Sequence, residues 1–138
     1  MQLTGVFPDA EMALIGWLKL NLPEVVWYSE LPLDWNPPTA AYPLPAGLVQ
    51  RIPAGSGGQE YESTPTLDIN LYTGDRASLW ALVQRTEPVI VAFPRQSAGP
   101  YVDNLTWKTP FGFMAYENRA VRRAFGSVEL LTRPQAVT

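Results

Sequence analysis

Pro65-Thr66-Leu67-Asp68-Ile69-Asn70-Leu71-Tyr72, with Thr73-Gly74-Asp75 after it, is the stretch on which the fold turns. Leu67, Ile69 and Leu71 alternate with Thr66, Asp68, Asn70 and Tyr72, the period-two signature of a strand with one core face and one polar face. Thr73-Gly74-Asp75 turns the chain, and Asp75 is placed to cap a helix running through Ala77, Leu79, Leu82 and Val83 to Thr86. Pro88 lacks an N–H and clashes one turn back, so this helix is expected to end or kink near Glu87. Whether Val89 to Phe93 continues it stays open at this level.

Upstream, a first helix is expected to open after Phe7-Pro8-Asp9, with Asp9 accepting from free N–H groups of the first turn. Its apolar stripe reads Met12, Ile15, Leu18 and Leu22, and Pro23 stops it. Glu24 to Ser29 has the β-branched and aromatic content of a short strand. From Pro32 to Pro65 the chain holds seven Pro and four Gly in 34 residues, too much punctuation for long regular elements. Within that irregular insertion only Gly47 to Ile52 can make a strand. Pro53 to Thr64, with Gly55, Gly57, Gly58, Glu60, Tyr61 and Glu62, reads as a long loop that projects from the domain and is ordered by neighbours or partners.

Downstream, Tyr101 to Thr109 alternates as a strand, and Pro110-Phe111-Gly112 is expected to break it. Arg119 to Thr132 has two readings. Ala120, Val121, Ala124 and Phe125 fit a helical stripe; Val121, Arg123 and Phe125, then Val128 and Leu130, fit a strand with a bulge near Gly126. The expected class is α+β: a mixed or antiparallel sheet, two helices packed on one face, and long Pro/Gly-rich loops. The core should include Ile15, Leu18, Leu67, Ile69, Leu71, Leu79, Leu82 and Val83.

A chain of 138 residues is one domain's worth, here read as spanning 1–138. With 46% hydrophobic residues and 5 Trp, 6 Tyr and 5 Phe it has material for a core. Zero Cys and zero His remove disulfides, thiolate metal sites, cysteine nucleophiles and the commonest general base. Carboxylate, Lys or Tyr chemistry is what remains for an enzyme, so the composition leans toward binding or structure, with no cofactor and no metal. The formal charge is −3, unevenly spread: Asn118 to Thr138 carries +3 and the first 117 residues −6. Met1 to Thr4 lacks the cationic start of a signal peptide, and Lys19 and Asn21 interrupt the apolar run from Met12 to Leu22. The expectation is a soluble protein made in the cytoplasm, with no membrane partner.

Candidate chemistry is sparse. Asp68, with Glu60 and Glu62 and the Asn70 amide on the same strand face, offers a carboxylate site for acid/base work or a hard cation, although a solvated or interfacial strand face accounts for them better. Gly55 to Gly58 lacks the Lys-Ser/Thr and helix start of a phosphate loop. Arg119, Arg122 and Arg123, with Lys108 nearby, read as a subunit or partner interface in a net acidic chain in preference to a phosphate-binding patch. Asn104-Leu105-Thr106 matches a glycosylation sequon by chance, and the Trp and Pro residues of Trp27 to Pro45 read as packing and interface anchors.

Taken in order, the helix, strand, irregular Pro/Gly stretch, Pro65-to-Tyr72 strand, Ala/Leu-rich helix and terminal segment Val121-Arg122-Arg123 … Leu130-Leu131-Thr132-Arg133 resemble the tail terminator proteins of long-tailed bacteriophages. The resemblance covers about residues 10 to 134. It departs from the pattern in the Pro-rich segment 32–45 and in Pro88. It implies a mixed sheet with two helices on one face and makes Arg119 to Arg133 a strand. It further implies a hexameric ring at the head-proximal end of a virion tail. Such a ring caps the tail-tube protein, receives the head-completion protein and lets DNA pass through the lumen without specific binding. Other neck or tail-tube proteins, such as a head–tail connector, share this size and composition. A small carboxylate enzyme or ligand-binding domain using Asp68, Glu60 and Glu62 is the alternative of a different class.

Overall fold

The computed structural model describes residues 5–6, 9–52, 64–96, 102–132 and 135–136. The elements are β1 (Gly5–Val6), α1 (Ala10–Asn21), β2 (Val26–Tyr28), β3 (Ala46–Ile52), β4 (Thr66–Thr73), α2 (Arg76–Gln96), β5 (Val102–Met114), β6 (Arg122–Thr132) and β7 (Gln135–Ala136). Five strands form a mixed sheet in the order β2-β3-β4-β6-β5, while β1 and β7 pair as a separate two-stranded sheet. Only β2 against β3 is parallel; the other pairs of the five-stranded sheet are antiparallel. The fold is α+β.

Both helices lie on one face of the sheet, in a single cluster that joins Leu14, Ile15 and Leu18 of α1 and Leu79, Leu82 and Val83 of α2 to Leu67, Ile69 and Leu71 of β4. Every residue expected in the core is buried. Asp9 caps α1 by accepting from Met12 N at 3.1 Å, and Asp75 Oδ1 caps α2 by accepting from Ser78 N at 2.7 Å. The buried stripe of α1 is Ala10, Leu14, Ile15, Leu18 and Leu22, whereas Met12 is half exposed. The stripe is rotated from the expected phase because the i, i+4 series from Ala10 faces the sheet.

Further local expectations are corrected. The α2 helix does not end near Glu87 but runs through Pro88 and Pro94 to Gln96. Pro88 removes the partner of the Gln84 carbonyl, and Gln84 and Pro88 both face solvent, so water can replace it. Continuing the helix buries Ile90 and Phe93, each worth about 1.5–3 kcal/mol, which offsets the roughly 3 kcal/mol cost of an interior proline. Pro110-Phe111-Gly112 likewise does not break β5, which continues to Met114 with register shifts between Trp107 and Thr109 and between Thr109 and Gly112. An edge strand tolerates a proline whose missing donor would have pointed outward. The extra residues therefore sit in β5, where Pro110 and Phe111 oppose Gly126, so the irregularity falls at Gly126 as expected but on the partner strand, and β6 pairs with β4 without interruption from Arg122 to Glu129.

The terminal ambiguity resolves as strand from Arg122 onward, while Arg119 lies in the turn before it. Finally, the polar face of β4, expected to be solvated or to lie at an interface, is mostly covered within the chain: Thr66, Asn70 and Tyr72 are buried and only Asp68 is half-buried. Residues 29–45 form an arm without helix or strand, and part of it packs over this far face. Trp35 sits among Tyr28, Tyr72 and Tyr116, with its ring centre 4.8 Å from that of Tyr72.

Candidate interaction surface

The end of the β5–β6 hairpin meets the start of α2, and this meeting gathers groups far apart in the chain. Phe113 ends the helix-facing side of β5 opposite Ala124. Its ring makes an edge-on contact with Trp80, centroids 6.0 Å apart, and carries the Arg76 guanidinium 4.8 Å above it. Trp80, Phe113 and Met114 remain 54%, 39% and 48% exposed. Two adjoining clefts of about 360 Å³ each open here. One is lined by Arg76, Leu79, Phe113, Met114, Arg122 and Arg123. The other lies between Met114, Tyr116, Arg119 and Arg122.

The three arginines singled out from the sequence have different surroundings. Arg119 is exposed in a turn built by Asn118, whose carbonyl accepts from Val121 N and whose Oδ1 accepts from Ala120 N, both at 3.0 Å. Arg122 is exposed on the first residue of β6. Neither has a carboxylate partner among the described residues. Arg123 is half-buried, and its Nε donates to Asn70 Oδ1 at 2.8 Å. It stands by Tyr72 and Tyr116, whose rings are 5.5 Å apart. Burial pushes the Tyr72 hydroxyl up to about 12, a rise that Arg123 opposes and Tyr116 reinforces. Burial also raises Tyr116, with Glu117 adding to the rise and Arg123 opposing it. Arg123 thus ties β6 to β4 as well as lining the cleft.

Lys108 does not join this group but lies 3.8 Å from Glu129, both side chains well exposed. Asp68 sits opposite Gln50 and Ser127 on the far face. Gly55, Gly57, Gly58, Glu60, Tyr61 and Glu62 lie outside the described residues. Among the described residues no group of three or more His, Cys, Asp or Glu side chains is arranged to hold a metal ion, and no helix is long and apolar enough to cross a membrane. A further cleft, of about 430 Å³, lies beside Glu24, Pro45, Thr73, Ser78 and Arg85, but its two charged groups already pair with each other.

Sequence reasoning missed Arg76, Trp80, Phe113 and Met114. Phe111-Gly112-Phe113-Met114 was the available signal: an apolar run directly after Pro110, hidden by reading that proline as a break. No protein-family model matches the chain, and no curated protein matches it either.

Proposed function

We propose that this chain is a structural virion protein that assembles with copies of itself into a ring at the head-proximal end of a phage tail, the role of a tail terminator. The observation that carries the reading is the surface around Phe113: three large apolar side chains left exposed together and flanked by Arg119 and Arg122, which have no carboxylate partner among the described residues. Aromatic, Met and Arg side chains are the composition of protein interfaces. The order of elements adds support, since helix, strand, irregular arm, central strand, helix and terminal hairpin follow one another as in the resemblance. A non-enzymatic role also suits a sequence without His or Cys.

In this role the hexameric ring contacts the tail-tube protein on one side and the head-completion protein on the other, and DNA passes through a lumen that a net acidic chain leaves non-adhesive. The protein is made in the host cytoplasm and resides in the virion tail. Light scattering and negative-stain imaging of the purified protein test the reading. Rings that add to the end of tubes of the tail-tube protein are the expected result. A strict monomer that gains thermal stability with a divalent cation would replace it with the carboxylate-site alternative, and rings that stack into tubes by themselves would point to a tail-tube protein.

A further inference from the structure

We infer that the surface around Phe113 receives the turn 30–34 of a second copy of this chain, so that subunits join head to tail. The inference rests on the ring reading above and names the two surfaces that meet. The turn Pro32-Leu33-Asp34-Trp35 is closed by Trp35 N donating to Pro32 O at 3.0 Å, and Leu33 at its tip is wholly exposed, at 107% of its reference area. Glu30 and Asp34 flank it, both exposed. Between positions 20 and 50 there are three acidic residues, Glu24, Glu30 and Asp34, and no Lys or Arg.

Charge and shape complement each other. An exposed leucine between two carboxylates matches a cleft of about 360 Å³ with an apolar floor of Leu79, Phe113 and Met114 and a rim of Arg76 and Arg122. The turn does not satisfy this cleft within its own chain. Trp35 anchors it against Tyr72 and Tyr116, Asp34 accepts from Tyr42 Oη at 2.6 Å, and neither Glu30 nor Asp34 forms an ion pair with an arginine among the described residues. The arm carries the turn from β2 across the far face to the end of the hairpin, where Trp35 meets Tyr116 and Asn118 Nδ2 donates to Pro37 O at 3.0 Å, so Leu33 points outward from a turn held beside the cleft and not in it. Because turn and cleft are different surfaces, a subunit that gives its turn to one neighbour and its cleft to another makes a heterologous contact, the type that closes into rings, whereas a closed dimer from reciprocal exchange would overturn the head-to-tail inference. Simple pairing of β5 edges is disfavoured by its bulges, Pro110 and Lys108.

The test uses two full-length variants. Arg76→Glu with Arg122→Glu spoils the cleft and leaves the turn; Glu30→Arg with Asp34→Arg spoils the turn and leaves the cleft. Each alone is expected to remain monomeric in light scattering at about ten times the concentration at which the wild type assembles. Thermal melts check that each is folded, and Leu33→Asp, at a fully exposed position, is a second turn variant expected to lose assembly in the same way. An equimolar mixture of the two double variants is expected to recover assembly, since the intact turn of one meets the intact cleft of the other and the reversed turn meets the reversed cleft with opposite charge. Normal assembly of the folded turn variants overturns the inference while leaving the ring reading standing, as does a cleft variant that assembles but no longer binds the tail-tube protein. A wild type that is monomeric under all conditions removes the ring reading and this inference with it.

Discussion

Gly47→Ala probes the closest approach to a glycine among the described residues. A Cβ at this position would lie 2.2 Å from Cζ3 and 2.4 Å from Cε3 of Trp27, its register partner across the parallel β2–β3 pair. Unstrained carbon pairs sit about 3.5–4.0 Å apart, so the indole must retreat by more than about 1 Å. It has little room: Trp27 is buried in the cluster beneath the helices, and its Nε1 donates to Leu22 O at 3.2 Å. Overpacking of this kind costs about 1–3 kcal/mol, and losing the indole hydrogen bond adds about 1 kcal/mol. Restricting the unfolded chain returns about 0.4–1 kcal/mol. The net loss is about 1–3.6 kcal/mol, and for a chain of this size each kcal/mol lowers Tm by about 3–4 °C. Thermal unfolding followed by circular dichroism, in the wild-type and Trp27→Leu backgrounds, measures it. The smaller side chain makes room for the methyl group, so the two changes should couple by at least about 1 kcal/mol. An unchanged Tm for Gly47→Ala, or the same cost in both backgrounds, would refute the reasoning.

Other changes separate the structural from the interfacial. Ile69→Ala removes a side chain with no exposed surface from the centre of β4 and should cost about 2–5 kcal/mol in chemical denaturation; a loss below 1 kcal/mol would mean the strand is not packed as described. Arg123→Ala leaves the buried Asn70 carbonyl without its partner and should cost about 1.5–3 kcal/mol, whereas Arg122→Ala should change monomer stability by no more than about 0.5 kcal/mol, and equal melting curves for the two would show that Arg123 holds nothing. Tyr72 is pushed from 10.0 to about 12 in the folded chain, so between those values the unfolded state loses its proton first. Its contribution to stability is therefore complete below pH 10 and falls as pH rises toward 12. Tyr72→Phe should flatten this alkaline decline in a series of melts, and an unchanged slope would assign the decline to other groups.

What the sequence determined by itself is local. The period-two alternation of Leu67, Ile69 and Leu71, the caps Asp9 and Asp75, and the apolar phase of Leu79, Leu82 and Val83 in α2 are set by residues within a turn or two of one another, and each is present in the structure. They were enough to define an α+β chain with a buried β4. Tertiary structure decided whatever depended on distant groups. Pro88 stays helical because Ile90 and Phe93 find a core to enter, and Pro110 stays in a strand because it lies on an edge whose bulges absorb it. Local propensity opposes both outcomes, and burial and edge position override it. The buried far face of β4 could not be read from alternation, since Tyr72 is covered by an arm some 35 residues earlier and Asn70 is tied by Arg123 some 50 residues later. The candidate surface is of the same kind: Arg76, Phe113 and Arg122 come from three elements, and only the packing of α2 against the β5–β6 hairpin brings them together.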